Sequence, residues 1–146
     1  MANTRARAVN TSEITPESGR QTRQKRALTG VLEESDQFLS AQQLHAALRQ
    51  RGESVGLTTV YGQLRTLSEA GLLCVLRTDS GELLYRRCET SDHHHHLVCR
   101  SCGASSEIQA PELETWAIGV ADSRGYEDVT HTFAILGTCP ECAVTR

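Results

Sequence analysis

No stretch of the 146 residues is apolar for long enough to cross a bilayer, and the opening MANTRARAVNTSEITPESGR lacks the apolar core that a secretory signal requires. Together these absences point to a cytoplasmic chain, in which thiols stay reduced and open to metal. Two catalytic signatures are also missing. There is no HExxH, and no H-x-E paired with P-C-x-x-C, so a zinc hydrolase or deaminase lacks its usual motifs. Size is scarce as well: the chain makes one domain or two small ones, and neither half can bury a large core unaided. A staple is therefore expected, and six cysteines are present to supply it.

Basic residues are scarce in only one part of the chain. Residues 1–88 carry twelve Lys/Arg against nine Asp/Glu, whereas residues 89–146 carry three against nine. The first part is basic enough to face nucleic acid, although an ordinary solvated surface has the same balance.

Residues 1–20 show no apolar periodicity and predict a flexible basic arm containing Arg5, Arg7 and Arg20. From Gln21 the pattern becomes helical, with Ala27, Leu28, Val31 and Leu32 on one stripe. Ser40-Ala-Gln-Gln43 is a capping box that opens a second helix with Leu44, Ala47 and Leu48 on its apolar face, and Gly52 ends it. A third helix is expected over residues 57–71, with Thr58 as its cap and Val60, Leu64 and Leu67 buried. Its other face shows Thr59, Tyr61, Gly62, Gln63, Arg65 and Thr66, and Thr58, Thr59, Tyr61, Gln63 and Arg65 are the expected DNA contacts. Two β-prone runs around Gly81 then form a hairpin, with Cys74 and Cys88 equidistant from the turn and facing each other directly in a register centred there. Three helices and a hairpin describe a winged helix-turn-helix over residues 21–88, whose third helix would enter a DNA major groove. A small helical domain without a ligand would share the helices.

Residues 89–92 are polar and form the expected hinge. Residues 93–146 predict a strand through HHHHLVCRSC, another through SSEIQA, a helix from Pro111 to Gly125 and a last strand from Asp128 to Thr138. The fold class is thus α+β.

Two C-x-x-C pairs, Cys99 with Cys102 and Cys139 with Cys142, each close a predicted strand. Four soft sulfurs in tetrahedral array describe structural zinc; two local redox pairs or disulfides are the competing reading. Four consecutive histidines precede the first pair. In a strand, His93 and His95 point to one side and His94 and His96 to the other, so one strand serves two ions. Candidate partners are His131, Glu114, Cys74 and Cys88, whereas His45 reads as a surface or packing histidine.

Through SAQQLH, GLTTVY, YRRC, HHHHLVCRSCG and CPEC, the chain from about residue 20 resembles the ferric uptake regulator family, and within it the zinc-sensing regulators of actinobacterial type. That resemblance implies an N-terminal winged helix-turn-helix DNA-binding domain joined by a hinge to a C-terminal α/β dimerisation domain. It also implies a homodimeric repressor whose binding of palindromic operator DNA is favoured by zinc, with two to three ions per chain and neither a membrane nor a small-molecule substrate as partner. Three sites follow from it. Cys99, Cys102, Cys139 and Cys142 match a structural zinc; Cys74, Cys88, His94 and His96 match a hinge sensor, with Cys74 where similar zinc regulators have aspartate; His93, His95, Glu114 and His131 match a third site in the dimerisation domain. Gly62 stands where the family usually has arginine. No residue is expected to be catalytic. The alternative is a regulator of the same family sensing another metal or peroxide; a zinc hydrolase or deaminase is the alternative of another class.

Overall fold

The computed structural model describes residues 16–89 and 93–145. Its first element, α1 (Pro16–Glu33), begins earlier than the sequence suggests. Residues 16–20 therefore belong to a helix and not to the arm: proline lacks the N–H that a first turn leaves unpaired, and its fixed φ suits that position. The rest of the expected arm, residues 1–15, lies outside the described residues. On α1 the stripe falls as expected, with Leu28, Val31 and Leu32 buried and Ala27 packed beside them.

Two residues of strand, β1 (Leu39–Ser40), run into α2 (Ala41–Gln50). The Ser40 hydroxyl accepts from the Gln43 N–H, and the Gln43 carboxamide oxygen accepts in return from the Ser40 N–H at 2.8 Å. Gly52, at φ +78°, supplies the left-handed turn that stops the helix. In α3 (Leu57–Glu69) the N-cap is Gly56, not Thr58, because the Val60 N–H already bonds the Gly56 carbonyl at 3.1 Å. Leu28, Leu44, Val60 and Leu64 are fully buried where α1, α2 and α3 meet. Each contributes about 1.5–3 kcal/mol of hydrophobic stabilisation.

The hairpin pairs β2 (Leu73–Arg77) with β3 (Leu83–Arg87), and β1 joins its other side in the order β1-β3-β2. Its register corrects the expectation. Cys74 lies opposite Arg86, and the Cys88 N–H bonds the Leu72 carbonyl, so the two cysteines are diagonal neighbours. They remain on one face, because a slip of two residues preserves the alternation.

In the other half, β4 (His95–Cys99) is central, antiparallel to β5 (Ser105–Ile108) and parallel to β6 (Ala134–Gly137). The strand begins at His95 rather than His93. The last strand is also shorter than Asp128–Thr138: Asp128 adopts φ +53° and residues 129–133 are irregular, so only the segment paired with β4 is extended. Between the strands comes α4 (Pro111–Asp122), and α5 (Pro140–Ala143) follows β6. Among the described residues no helix is long and apolar enough to cross a membrane.

The halves meet around Phe38. It is buried with Cys74 and Val98, against Leu76, Leu84 and Cys88. Its N–H donates to the Gly103 carbonyl at 3.0 Å, and the Ser105 hydroxyl donates to the Asp36 carbonyl at 3.0 Å.

Candidate metal centres and nucleic-acid interface

At the far end of β4 the chain turns through Cys99-Arg-Ser-Cys102-Gly103, and after β6 Cys139 caps α5 while Cys142 lies within it. Ligand atoms of all four cysteines lie within 4.8 Å of one another. The Cys102 and Cys139 sulfurs are 3.9 Å apart, matching the roughly 3.8 Å edge of a tetrahedron with 2.3 Å zinc–sulfur bonds. The Cys139 N–H donates to the Cys99 sulfur at 3.3 Å. That bond, with one from the Cys102 backbone, brings the Cys99 thiol down to about 6. Cys142, hydrogen-bonded to Cys139 and Cys102, is pushed up to about 12. A divalent cation displaces the thiol protons when thiolates bind it.

The histidines divide by face as the alternation requires, although only two lie in the strand. His93 and His95 meet His131 and the Glu114 carboxylate of α4, again with ligand atoms within 4.8 Å. Glu114 is 3.1 Å from His93 Nε2 and 2.9 Å from His131 Nε2, and it contacts His95 Nε2. The hydrogen bond to His95, supported by His131, holds the Glu114 carboxyl below the usual carboxylate range. His95 is buried, and its Nδ1 has no partner. His131 stands before β6 rather than in it.

On the opposite face Cys74, His94, His96 and Glu107 gather. The Cys74 sulfur is 3.2 Å from His94 Nε2, which lies 3.4 Å from Glu107 Oε1. His96 is directly across from Glu107 in the β4–β5 ladder. Burial, followed by the charges of His94 and Arg86, brings His96 down to about 4, so its imidazole is neutral near pH 7. Its Nε2 is buried without a partner, as befits an atom that donates to a cation. One expected ligand falls outside this group: the Cys88 sulfur is bonded to that of Cys74. Sequence reasoning missed Glu107; the signal was its place in SSEIQA, one strand from the histidines. His45 packs as expected, with Nε2 2.9 Å from the Val55 carbonyl oxygen.

The four-cysteine set and the His93, His95, Glu114 and His131 set fit metal as they stand, and the Cys74, His94, His96 and Glu107 set does so once the Cys74–Cys88 bond is reduced. The thiolates suit a structural zinc, while imidazole with thiolate or carboxylate suits zinc among other divalent ions.

On α3, Thr58, Thr59, Tyr61, Gly62, Arg65 and Thr66 are exposed opposite the buried Val60, Leu64 and Leu67. Arg65 pairs with Glu69 at 3.2 Å. Gln63 is half-buried with Oε1 turned inward, so of the five expected contact residues it is the least presented to a groove.

Comparison with known proteins agrees with this architecture. The zinc uptake regulation protein of Mycobacterium tuberculosis is 53% identical over 124 residues, covering 84% of this chain and 94% of its own. The crystal structure of FurB from M. tuberculosis, a zinc uptake regulator, is 52% identical with a TM-score of 0.52, covering 85% of this chain and 95% of that one. The ferric uptake regulator of Francisella tularensis with iron shares the fold at 22% identity and a TM-score of 0.68, covering 94% and 99%. A model of the ferric uptake regulator family matches residues 17–136, and the chain belongs to that family.

Proposed function

We propose that this chain is a zinc-responsive transcriptional repressor of the cytoplasm that binds palindromic operator DNA as a homodimer and holds two to three zinc ions. Residues 21–88, with the preceding turns of α1, form the DNA-binding domain, residues 89–92 the hinge and residues 93–146 the dimerisation domain. The observation that carries the reading is the cluster on the second face of β4. Cys74 comes from the hairpin of one half, while His94, His96 and Glu107 come from the other. A doubly charged ion supplies a common electrostatic anchor for donors on both halves, so its binding favours one angle between them and hence one spacing of α3 in a dimer. Cys88, on the same hairpin face, adds a second thiolate to this set once the pair with Cys74 is reduced. The zinc uptake regulators named above support the choice of metal.

Dimerisation is supported by an uncovered apolar surface. Trp116 is 65% exposed and Ile118 57%, α4 buries no side chain, and Leu97 pairs across the sheet with Ile135, both exposed. Patches of this kind mark association surfaces. The His93, His95, Glu114 and His131 set lies within this half and tunes the response without linking the halves.

The test combines metal content with selection of random duplexes. Purified, reduced protein should hold two to three zinc ions per chain and enrich a palindrome only when zinc is present. Enrichment that survives full chelation, or none with zinc, would count against the reading.

A further inference from the structure

We propose that Cys74 and Cys88 are an oxidisable pair, and that the disulfide joining them and metal occupancy of the hinge cluster exclude each other, so that a hydroperoxide disarms the repressor. The proposal rests on the zinc-responsive reading of that cluster. Cys74 in β2 and Cys88 just past the end of β3 sit diagonally across the hairpin with Cα atoms 5.4 Å apart, inside the span a disulfide bridges without moving backbone. Cys74 belongs to the hinge cluster through its contact with His94. A thiolate binds a cation through its charge, and a disulfide sulfur has no such charge to give. Oxidation therefore removes both sulfurs from the cluster and leaves His94, His96 and Glu107. The other four cysteines are free thiols gathered in one group, where a filled four-sulfur site shields them.

The two thiols also differ in access. Cys74 is buried, whereas Cys88 lines an open cleft of about 520 Å³ beside Leu32, Glu33, Asp36 and Glu89. Cys88 is thus the attacking sulfur and Cys74 the resolving one. With hydrogen peroxide, the Cys88 sulfur attacks one oxygen and the O–O bond breaks. The second oxygen leaves as water with the thiol proton, and Cys88 becomes a sulfenic acid. The Cys74 sulfur then attacks Cys88; the S–S bond forms, and the sulfenic oxygen departs as a second water with the Cys74 proton. Two thiols have lost two electrons and two protons, and one peroxide has become two waters.

The experiment uses full-length, reduced, zinc-loaded protein treated with graded hydrogen peroxide. Free thiols are alkylated, disulfide-linked peptides are mapped by mass spectrometry, and zinc release and DNA affinity are followed in parallel. The first linkage should join Cys74 to Cys88, with one zinc released per chain and DNA affinity lower by about tenfold or more, within the usual range for linked sites. Dithiothreitol with zinc should reverse all three changes, and excess zinc should slow the linkage. Whatever its starting affinity, Cys74→Asp should show no further change at the peroxide dose that half-oxidises the wild type. A first disulfide among Cys99, Cys102, Cys139 and Cys142 would overturn the proposal. So would loss of DNA binding with Cys74 and Cys88 still fully alkylatable, a linkage rate indifferent to zinc, or a Cys74→Asp variant that responds like the wild type. If reduced protein never binds DNA with zinc, the function proposed above fails, while the peptide map and zinc release still decide this inference.

Discussion

Replacing Gly103 by alanine tests the contact that seats one half of the molecule on the other. Gly103 follows the Cys99–Cys102 turn at φ +77°, and a Cβ built there would stand 2.8 Å from the Phe38 carbonyl oxygen. The left-handed conformation costs an alanine about 1–2 kcal/mol. Relieving the clash means moving backbone, since the obstructing atom is a carbonyl, and this sacrifices the Phe38 N–H bond to Gly103, worth about 0.5–1.5 kcal/mol. The sum is about 1.5–3.5 kcal/mol, which for a chain of this length lowers the melting temperature by roughly 3–14 °C. Thermal unfolding at saturating zinc reads the change, and metal content confirms that the four-cysteine site stays filled. Gly62→Ala is the control. It meets no atom within 4 Å, sits in α3 without positive φ, and should stabilise by about 0.5–1 kcal/mol. A Gly103→Ala protein melting within a degree of wild type would show that the approach of Phe38 to Gly103 holds nothing together.

Three further outcomes follow from the same geometry. Cys102→Ser should strip the four-sulfur site and unfold or dissociate the C-terminal half, because small metal-stapled units draw folding energy from the ion; a stable dimer with full zinc content contradicts this. His96→Ala should leave dimer and structural zinc intact while weakening zinc-dependent DNA binding by about 5–150-fold, the range of typical linked sites, whereas His93→Ala and His131→Ala should have milder effects; equal losses in all three, measured by anisotropy, would refute the division. Gly62→Arg should raise affinity and sharpen discrimination by about 1–3 kcal/mol at a contacted base, measured on a base-substituted duplex series at one salt concentration; identical profiles would mean position 62 reads no base.

Much of this arrangement is legible in the residues because it depends on short periods. Alternation along the histidine run assigns His93 and His95 to one side-chain cluster and His94 and His96 to the other, even though the regular strand starts only at His95. The Ser40 capping box, the Gly52 stop and the α1, α2 and α3 stripes are local rules, and they hold. What escaped depends on pairing between distant segments. Glu107 enters the hinge cluster through the β4–β5 register, and the hairpin register, two residues away from the symmetric one, makes Cys74 and Cys88 diagonal. His131, named from the sequence as a partner of His93 and His95, does join them, but from the irregular segment before β6 rather than from a strand. The cap of α3 is Gly56 rather than Thr58 because Gly56 makes no side-chain cap to mark it, and α1 starts at Pro16, within the expected arm, because its first turn carries no apolar stripe.

Zinc at the hinge cluster is proposed to govern DNA binding, and one titration addresses this directly. Fluorescence anisotropy of the selected palindrome is followed with reduced protein while free zinc is raised in a buffered series, with iron(II) and manganese(II) run alongside. The account predicts tight binding that rises with zinc, reverses on chelation, far exceeds that with the other two metals and is lost selectively in His96→Ala. DNA binding that is indifferent to zinc, or driven equally by iron or manganese, would contradict it.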